Sequence, residues 1–245
     1  MAVNLAGARS KIERAKKHIS DFDRERVRFL ESNPYVCIHH FDEEESRTDF
    51  VLGPLPVMPS ELAVTAGDAA HNLRSALDHL ACELVRDAGN PIGRIYFPIC
   101  NSAEEYVLQS ERKTKGMPIP AKQFIDALQP YRGRNDLLWG LHQLDIIDKH
   151  RLLVAVGTMI ANVQLDLSGT HTAMSLIAAK CALEEGYILG SLGRKVEANQ
   201  GMKFAFDVAF GEPEVLAGRS VVETFTQMVG YIERIVGYFE SNTGT

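Results

Sequence analysis

The chain is poor in the features that mark secreted, membrane-spanning and metal-stapled proteins. Its 245 residues include four cysteines and no C-x-x-C pair, which argues against a disulfide framework and favours reduced thiols. The longest apolar run, residues 152–161, is far shorter than the roughly 20 residues that a membrane-spanning helix needs. Charges recur through the first twenty residues, unlike the apolar centre of a signal peptide. We therefore expect a cytoplasmic protein with no membrane partner.

The sequence also lacks an excess of positive charge and the glycine motifs of nucleotide-binding folds. Its 26 basic and 32 acidic residues give a net charge of −6, so any contact with nucleic acid must be local. It has no G-x-G-x-x-G and no G-x-S-x-G motif, so we expect neither a nucleotide cofactor nor a nucleophile elbow. Two short basic runs, residues 111–115 and 131–134, have the composition to hold a phosphate backbone, although solvated loops are the commoner outcome for such runs.

Hydrophobic periodicity predicts an α+β protein with a helical half, placed mainly in residues 1–155 of a single domain spanning residues 1–245. The three-four repeat of apolar residues that an amphipathic helix shows recurs along much of the chain. It predicts a long first helix over residues 3–31, a second from Ser60 to about residue 87, further helices over 103–112, from Pro120 and over 137–153, and a closing helix over 219–240.

Period-two alternation predicts the strands. A β-hairpin is expected over residues 35–52, inside the helical half, and a short strand over 94–99. An antiparallel sheet is expected mainly over 156–211, where apolar and polar residues alternate in Met159–Leu167 and again from Phe204 to Phe210. The chain should therefore pack a helical half against one antiparallel sheet.

The second predicted helix has an unusual polar side. Lys and Glu normally cover a solvated helix face, yet neither occurs between Glu61 and Glu83. Mostly short polar and imidazole side chains stand there instead, and the full set is Asp68, His71, Asn72, Arg74, Ser75, Asp78, His79 and Cys82. This composition predicts a second contact surface on the helix.

The helix over residues 137–153 carries two carboxylates, Asp145 and Asp148, on the same side as its leucines, given 100° per residue. A buried carboxylate needs a cation, a metal or several donors. We expect this helix to pack beside the second one, so that Arg74 and one or both of His71 and His79 meet Asp145 or Asp148.

The segment from Arg74 to His79 matches the R-x4-H pattern and resembles the motif of the HEPN superfamily, whose helical domains commonly dimerise to form a metal-independent ribonuclease site. The resemblance implies that His79 transfers a proton at the ribose 2′-hydroxyl or the leaving oxygen, and that Arg74 meets the charge on the phosphorane. RNA would be the substrate, with His71 and His150 as assisting residues. The resemblance covers one helix, on which Arg74 and His79 are about 140° apart.

Two other interpretations of the polar residues stay open. His142, Asp145 and Asp148 are spaced three apart, so with His71 or His79 they would offer a mixed imidazole and carboxylate shell for a metal-dependent hydrolase. Alternatively, a buried Arg–Asp–His network fixes the helix register of a non-enzymatic binding module or an oligomer. The E-x-x-H signature of helical metal sites is missing, and we assign no metal ligand and no cofactor.

Longer segments resemble a family of uncharacterised bacterial proteins of about this size. These segments are GDAAHNLRSALDHLA, YFPI, LQPY and LW-x-LH-x-L-x-x-IDKHRLL, which together cover most of residues 60–155. The resemblance implies a bacterial origin and carries no catalytic residue to this chain.

In the first helix, the small residues Ala8 and Ala15 alternate with larger ones along a narrow seam, which predicts close helix packing and is compatible with a homodimer.

Overall fold

The fold is α+β, as the sequence predicted. The structure is a computed structural model that describes residues 3–153, 155–165, 174–176, 183–193, 195 and 202–242. Its helices are α1 (Ala6–Glu31), α2 (Ser60–Asp87), α3 (Ala103–Lys113), α4 (Ile119–Ala127), α5 (Asp136–Asp148) and α6 (Val221–Asn242). Its strands are β1 (Cys37–Asp42), β2 (Arg47–Leu52), β3 (Ala155–Leu165), β4 (Met174–Leu176), β5 (Ile188–Leu192) and β6 (Met202–Phe210).

Helix α2 is the centre of the helical part and packs against α1, α5 and α6. The narrow seam of α1 is buried, from Ala8 through Ile12 and Ala15 to Phe22, and α2 and α6 of the same chain cover it. On α2 the buried set includes Leu62, Leu73, Leu77 and Leu80. At about 25 cal/mol per Å² of apolar surface, this shared burial is the main force that holds α2 in place.

The described strands form two sheets, where the sequence predicted one. The predicted hairpin is confirmed as the antiparallel pair β1 and β2, with Cys37 opposite Leu52. Strand β2 also pairs with β5, and β5 with β4, so the hairpin belongs to a four-stranded sheet in the order β1-β2-β5-β4. Strands β3 and β6 form a separate antiparallel pair. The hairpin joins distant strands because the free edge of β2 has backbone donors and acceptors that need partners.

The strand predicted over residues 94–99 is absent from the structure. The backbone groups of this segment bond to other elements: the Tyr96 N–H donates to the Lys113 carbonyl and the Phe97 N–H donates to the Asp78 carboxylate. A segment whose backbone is already satisfied in this way has no need of a neighbouring strand. The segment instead connects α2 with the end of α3.

Helix α5 ends at Asp148, five residues before its predicted end. The N–H groups of His150 and Arg151 both bond to the Ile147 carbonyl, which closes a turn in place of further helix. In β6 the predicted half-buried alternation is not found, because residues 207 to 210 are all buried. Both faces are covered: Arg26 of α1 bonds to Asp207, and Phe225 of α6 packs on Phe210. The side chains of 159–165 and of Phe204 lie outside the described part, as do residues 166 and 167 and the fourth cysteine, Cys181.

No helix in the described ranges combines the length and the hydropathy that a bilayer crossing requires.

Candidate functional site

Arg74, on the polar side of α2, is buried against α5 and the segment around Phe97. Arg74 is 6% exposed and uses three of its nitrogens. Nη1 donates to Asp78 Oδ1 at 2.6 Å, Nη2 to the Phe97 carbonyl at 3.0 Å, and Nε to His142 Nδ1 at 3.3 Å. Asp78 Oδ1 accepts the Phe97 N–H as well, at 2.9 Å. Arg74 and Asp78 together therefore fix the segment around Phe97 onto α2.

The chemistry of His142 follows from this environment. Burial, followed by the positive charges of Arg74 and Lys113, lowers the pKa of His142 to about 4. The imidazole is therefore neutral near pH 7 and accepts the Arg74 N–H at Nδ1, which places its own proton on Nε2. A neutral acceptor lets a buried guanidinium complete its hydrogen bonds without a second carboxylate.

Asp145 on α5 is the inward carboxylate that the sequence predicted, and it is 3% exposed. Its Oδ1 contacts His71 Nδ1 at 2.9 Å, and its Oδ2 accepts from Lys149 Nζ at 2.6 Å. The expected contact between α2 and Asp145 is thus made by His71. Arg74 pairs with Asp78 instead, because a carboxylate four residues along the same helix lies within direct reach.

Asp148, the second carboxylate, is half-buried and lies against the backbone of Gly67 on α2. Burial, followed by the charges of Asp68 and Asp145, raises the pKa of Asp148 above its usual range. Asp68 itself is exposed and lies 3.8 Å from His18 Nδ1. This end of the cluster therefore concentrates negative charge.

The two residues of the R-x4-H pattern lie on different sides of α2. Arg74 points to α5 and the Phe97 segment, whereas the exposed His79 ring lies against Gly7 at the start of α1. Their described contacts do not bring them into one site within a chain. His150 is exposed in the turn after α5, and no described residue bonds to its side chain.

The three spaced ligand candidates on α5 are also separated. His142 bonds to Arg74, Asp145 bonds to His71 and Lys149, and Asp148 lies on Gly67. Among the described residues, no group of three or more His, Cys, Asp or Glu side chains is placed to hold a metal ion. The geometry therefore gives the metal-site interpretation no ligand set.

A cleft of about 720 Å³ lies beyond the Phe97 segment, between the loop that follows α2 and the end of α3. Four cations contribute to its lining, and none of the described residues that line it is acidic. The cations and the two exposed apolar side chains beside them are Arg94, Arg112, Lys113, Lys115, Tyr96 and Ile92. The Tyr96 N–H donates to the Lys113 carbonyl at 3.2 Å, and this hydrogen bond joins the loop side of the cleft to the end of α3.

The cleft is the feature that sequence reasoning missed. The run over residues 111–115 was expected to be a solvated loop, and Arg94 stood in a predicted strand. The signal was present in the sequence, since Arg94 precedes α3 and three cations, Arg112, Lys113 and Lys115, stand at its C-terminal end. Sequence spacing alone did not indicate that they would share one concave surface.

No protein-family model matches this chain, and it has no match among curated proteins or solved structures.

Proposed function

We propose that this protein binds single-stranded RNA in the basic cleft formed by Arg94, Tyr96, Arg112, Lys113 and Lys115. The observation that carries the proposal is the clustering of four cations in one concave surface of a protein whose net charge is −6. Like charges in a concave surface repel each other in the free protein, and an anionic ligand relieves that repulsion.

The cations of the cleft are available to a ligand. Arg94, Arg112 and Lys115 are exposed, and they have no salt-bridge partner among the described residues. Lys113 is half-buried, and its ammonium donates to the Ile99 carbonyl at 3.4 Å. Its charge is thus fixed in position without being neutralised, and phosphate oxygens are the groups that such donors bind best.

The size and the apolar walls of the cleft favour a nucleotide chain over a simple inorganic anion. A volume of about 720 Å³ exceeds what one phosphate needs, and lies in the range of about 300–1,000 Å³ typical of ligand sites. Tyr96 is 50% exposed and Ile92 41% exposed at the same cleft. A base stacked on an aromatic ring contributes about 1–3 kcal/mol, so Tyr96 would bind a base while the cations bind its phosphates.

The HEPN-like ribonuclease stays a prediction from the motif. It requires Arg74 to face a phosphorane, yet three protein acceptors occupy that guanidinium and only 6% of the residue is exposed. It also requires His79 nearby, and His79 lies against α1. Binding in the basic cleft depends on neither residue.

The test is RNA binding by fluorescence anisotropy with a labelled single-stranded oligonucleotide. The double variant Arg112→Ala/Lys115→Ala removes two cleft charges, and the double variant Lys17→Ala/Arg24→Ala on the distant surface of α1 removes the same charge. We expect the cleft variant to weaken binding at least tenfold and to reduce the slope of log K against log salt by about 1.4, at about 0.7 per phosphate contact. The α1 variant should bind like wild type.

Competition separates RNA from other polyanions. Tyr96→Ala should weaken RNA binding about tenfold, with little effect on inorganic polyphosphate, because only RNA has bases to stack. Equal loss in the cleft and α1 variants would refute the cleft as the binding site. Polyphosphate that binds as tightly as RNA, with no effect of Tyr96→Ala, would refute RNA as the ligand.

A further inference from the structure

Ser75, His71 and Asp145 form a hydrogen-bonded line on the α2–α5 face, separate from the basic cleft. Ser75 Oγ lies 3.5 Å from His71 Nε2, and His71 Nδ1 lies 2.9 Å from Asp145 Oδ1. A hydroxyl, an imidazole and a carboxylate in this order are the three parts of an activated serine nucleophile. The Ser75 contact is long for a hydrogen bond, within the looser range that such pairs show without a bound substrate.

The direction of proton transfer is fixed by Asp145. A carboxylate only accepts hydrogen bonds, so His71 must donate from Nδ1. In the neutral ring the lone pair then lies on Nε2, which faces the Ser75 hydroxyl. His71 is therefore held in the tautomer that can remove the serine proton.

Asp145 is buried at one end of this hydrogen-bonded line, whereas His71 and Ser75 are accessible to solvent. Asp145 is 3% exposed, and Lys149 Nζ binds its second oxygen at 2.6 Å, so its carboxylate is held from both sides. Ser75 and His71 are four residues apart on α2 and therefore share one face of the helix. The His71 side chain is 48% exposed and Ser75 is half-buried, so a substrate can reach the nucleophile from solvent.

We propose that Ser75 is the nucleophile of a hydrolytic site for small carboxylic esters, with His71 as general base and Asp145 as the group that orients His71. Ser75 Oγ forms a bond to the ester carbonyl carbon while its proton passes to His71 Nε2. The carbon–oxygen bond to the alcohol then breaks, and His71 returns the proton to the leaving oxygen. Water, deprotonated by His71 in the same way, cleaves the acyl-serine to release the carboxylic acid and free Ser75.

This activity goes beyond RNA binding and does not rest on it. The basic cleft lies at the C-terminal end of α2 and its lining shares no residue with the Ser75 line. A purely structural role for His71 would be an ion pair that joins α2 to α5. That role predicts an effect of His71 variants on stability and no special reactivity at Ser75, so the reactivity of the serine distinguishes the two.

The first experiment labels the intact protein with a fluorophosphonate probe, which phosphonylates activated serines with loss of fluoride, and locates the adduct by mass spectrometry. We expect the label at Ser75. The rate of labelling should fall at least about 100-fold in His71→Gln, since a general base contributes about 10²–10⁴-fold. Ser10 is an exposed helical serine with alanine four residues before it, and it should stay unlabelled as an internal control.

The second experiment measures hydrolysis of p-nitrophenyl acetate. Ser75→Ala keeps a good helix former at position 75, and should fold like wild type while its kcat/KM falls to the level of His71→Gln. Asp145→Asn keeps the shape of the side chain and should lower kcat more than it raises KM, because it disturbs the tautomer and leaves the nucleophile in place. Circular dichroism checks the folding of each variant.

Absence of label at Ser75 in folded wild-type protein would overturn the proposal. Ester hydrolysis that is unchanged in Ser75→Ala would do the same, because it would assign the reaction to an imidazole acting alone.

Discussion

The carboxylate of Asp148 lies directly on the backbone of Gly67, so closely that a Cβ atom at position 67 would overlap it. Gly67 is in the interior of α2, where glycine ordinarily costs about 1 kcal/mol relative to alanine. The glycine is explained by the approach of α5, which places Asp148 where a side chain would otherwise be. This contact sets how closely the two helices that bear the candidate site pack together.

Gly67→Ala should therefore destabilise the protein by up to about 2 kcal/mol, since overpacking costs about 1–3 kcal/mol and the gain in helix propensity offsets about 1 kcal/mol of it. Urea unfolding measures the change. Gly230→Ala in α6 is the matched control: only the end of the Arg234 side chain lies near a Cβ there, at 3.7 Å, and we expect a gain of about 1 kcal/mol.

Removal of the carboxylate should reverse the sign of that effect. In an Asp148→Ala background, Gly67→Ala should be neutral or stabilising, because the overlapping group is gone. The double-mutant cycle measures this coupling. Independent, additive effects of the two substitutions would contradict the close contact.

Asp148 also makes stability depend on pH. Its pKa is raised from 3.8 by burial and by Asp68 and Asp145, so the folded protein binds more protons than the unfolded chain between pH 3.8 and that raised value. The contribution of Asp148 to the free energy of unfolding therefore falls as the pH rises from 3.8 through the raised pKa. Asp148→Asn should be more stable than wild type at pH 7, with the difference shrinking as the pH approaches 4. Urea unfolding across this range tests it, and a variant less stable than wild type at pH 7 would refute it.

His142 has the opposite pH dependence. Its pKa is lowered from 6.5 to about 4, so the folded protein binds fewer protons than the unfolded chain in that window and loses stability as pH falls through it. Two and a half pKa units correspond to about 3 kcal/mol. His142→Asn keeps an acceptor for Arg74 but has no imidazole to titrate. Between pH 7 and pH 4 its free energy of unfolding should therefore fall by about 3 kcal/mol less than that of wild type. NMR titration of the imidazole gives the pKa directly, and a value near 6.5 would contradict the buried contact.

Arg74→Met should destabilise the protein by about 3 kcal/mol, because breaking a buried ion pair costs about 3–5 kcal/mol and Asp78 keeps partial access to water. Arg74→Lys should recover only part of the loss, since one ammonium cannot reproduce three directed hydrogen bonds. Amide hydrogen exchange gives a local readout: protection of the Phe97 N–H, which donates to Asp78, should fall in both variants. Unchanged protection would show that Asp78 holds the Phe97 segment without Arg74.

Repeating patterns were enough to predict the main elements. The seam of Ala8, Ile12 and Ala15 predicted α1, and the alternation around an acidic loop predicted the hairpin, because a helix period of 3.6 and a strand period of 2 are properties of the local chain. The inward position of Asp145 followed from the same period. The strand expected over 94–99 was wrong, because its backbone groups found partners in Asp78 and Lys113 that no local pattern reports.

Partner choice was decided by the tertiary structure. Helix spacing predicted that Arg74, with one or both of His71 and His79, would meet Asp145 or Asp148. In the structure only His71 of these three bonds to Asp145, while Arg74 bonds to Asp78, one turn along its own helix. The same packing put Ser75 beside the remaining nitrogen of His71.

The sequence by itself determined the α+β class, the amphipathic helices and the presence of polar groups on their inner sides. Only the tertiary structure decided which of those groups meet, and that Arg94 lines one cleft with Arg112, Lys113 and Lys115. The physical reason is range: backbone periodicity acts between residues three or four positions apart, whereas a hydrogen bond or a shared cleft depends on distances between atoms that only packing of the whole chain sets.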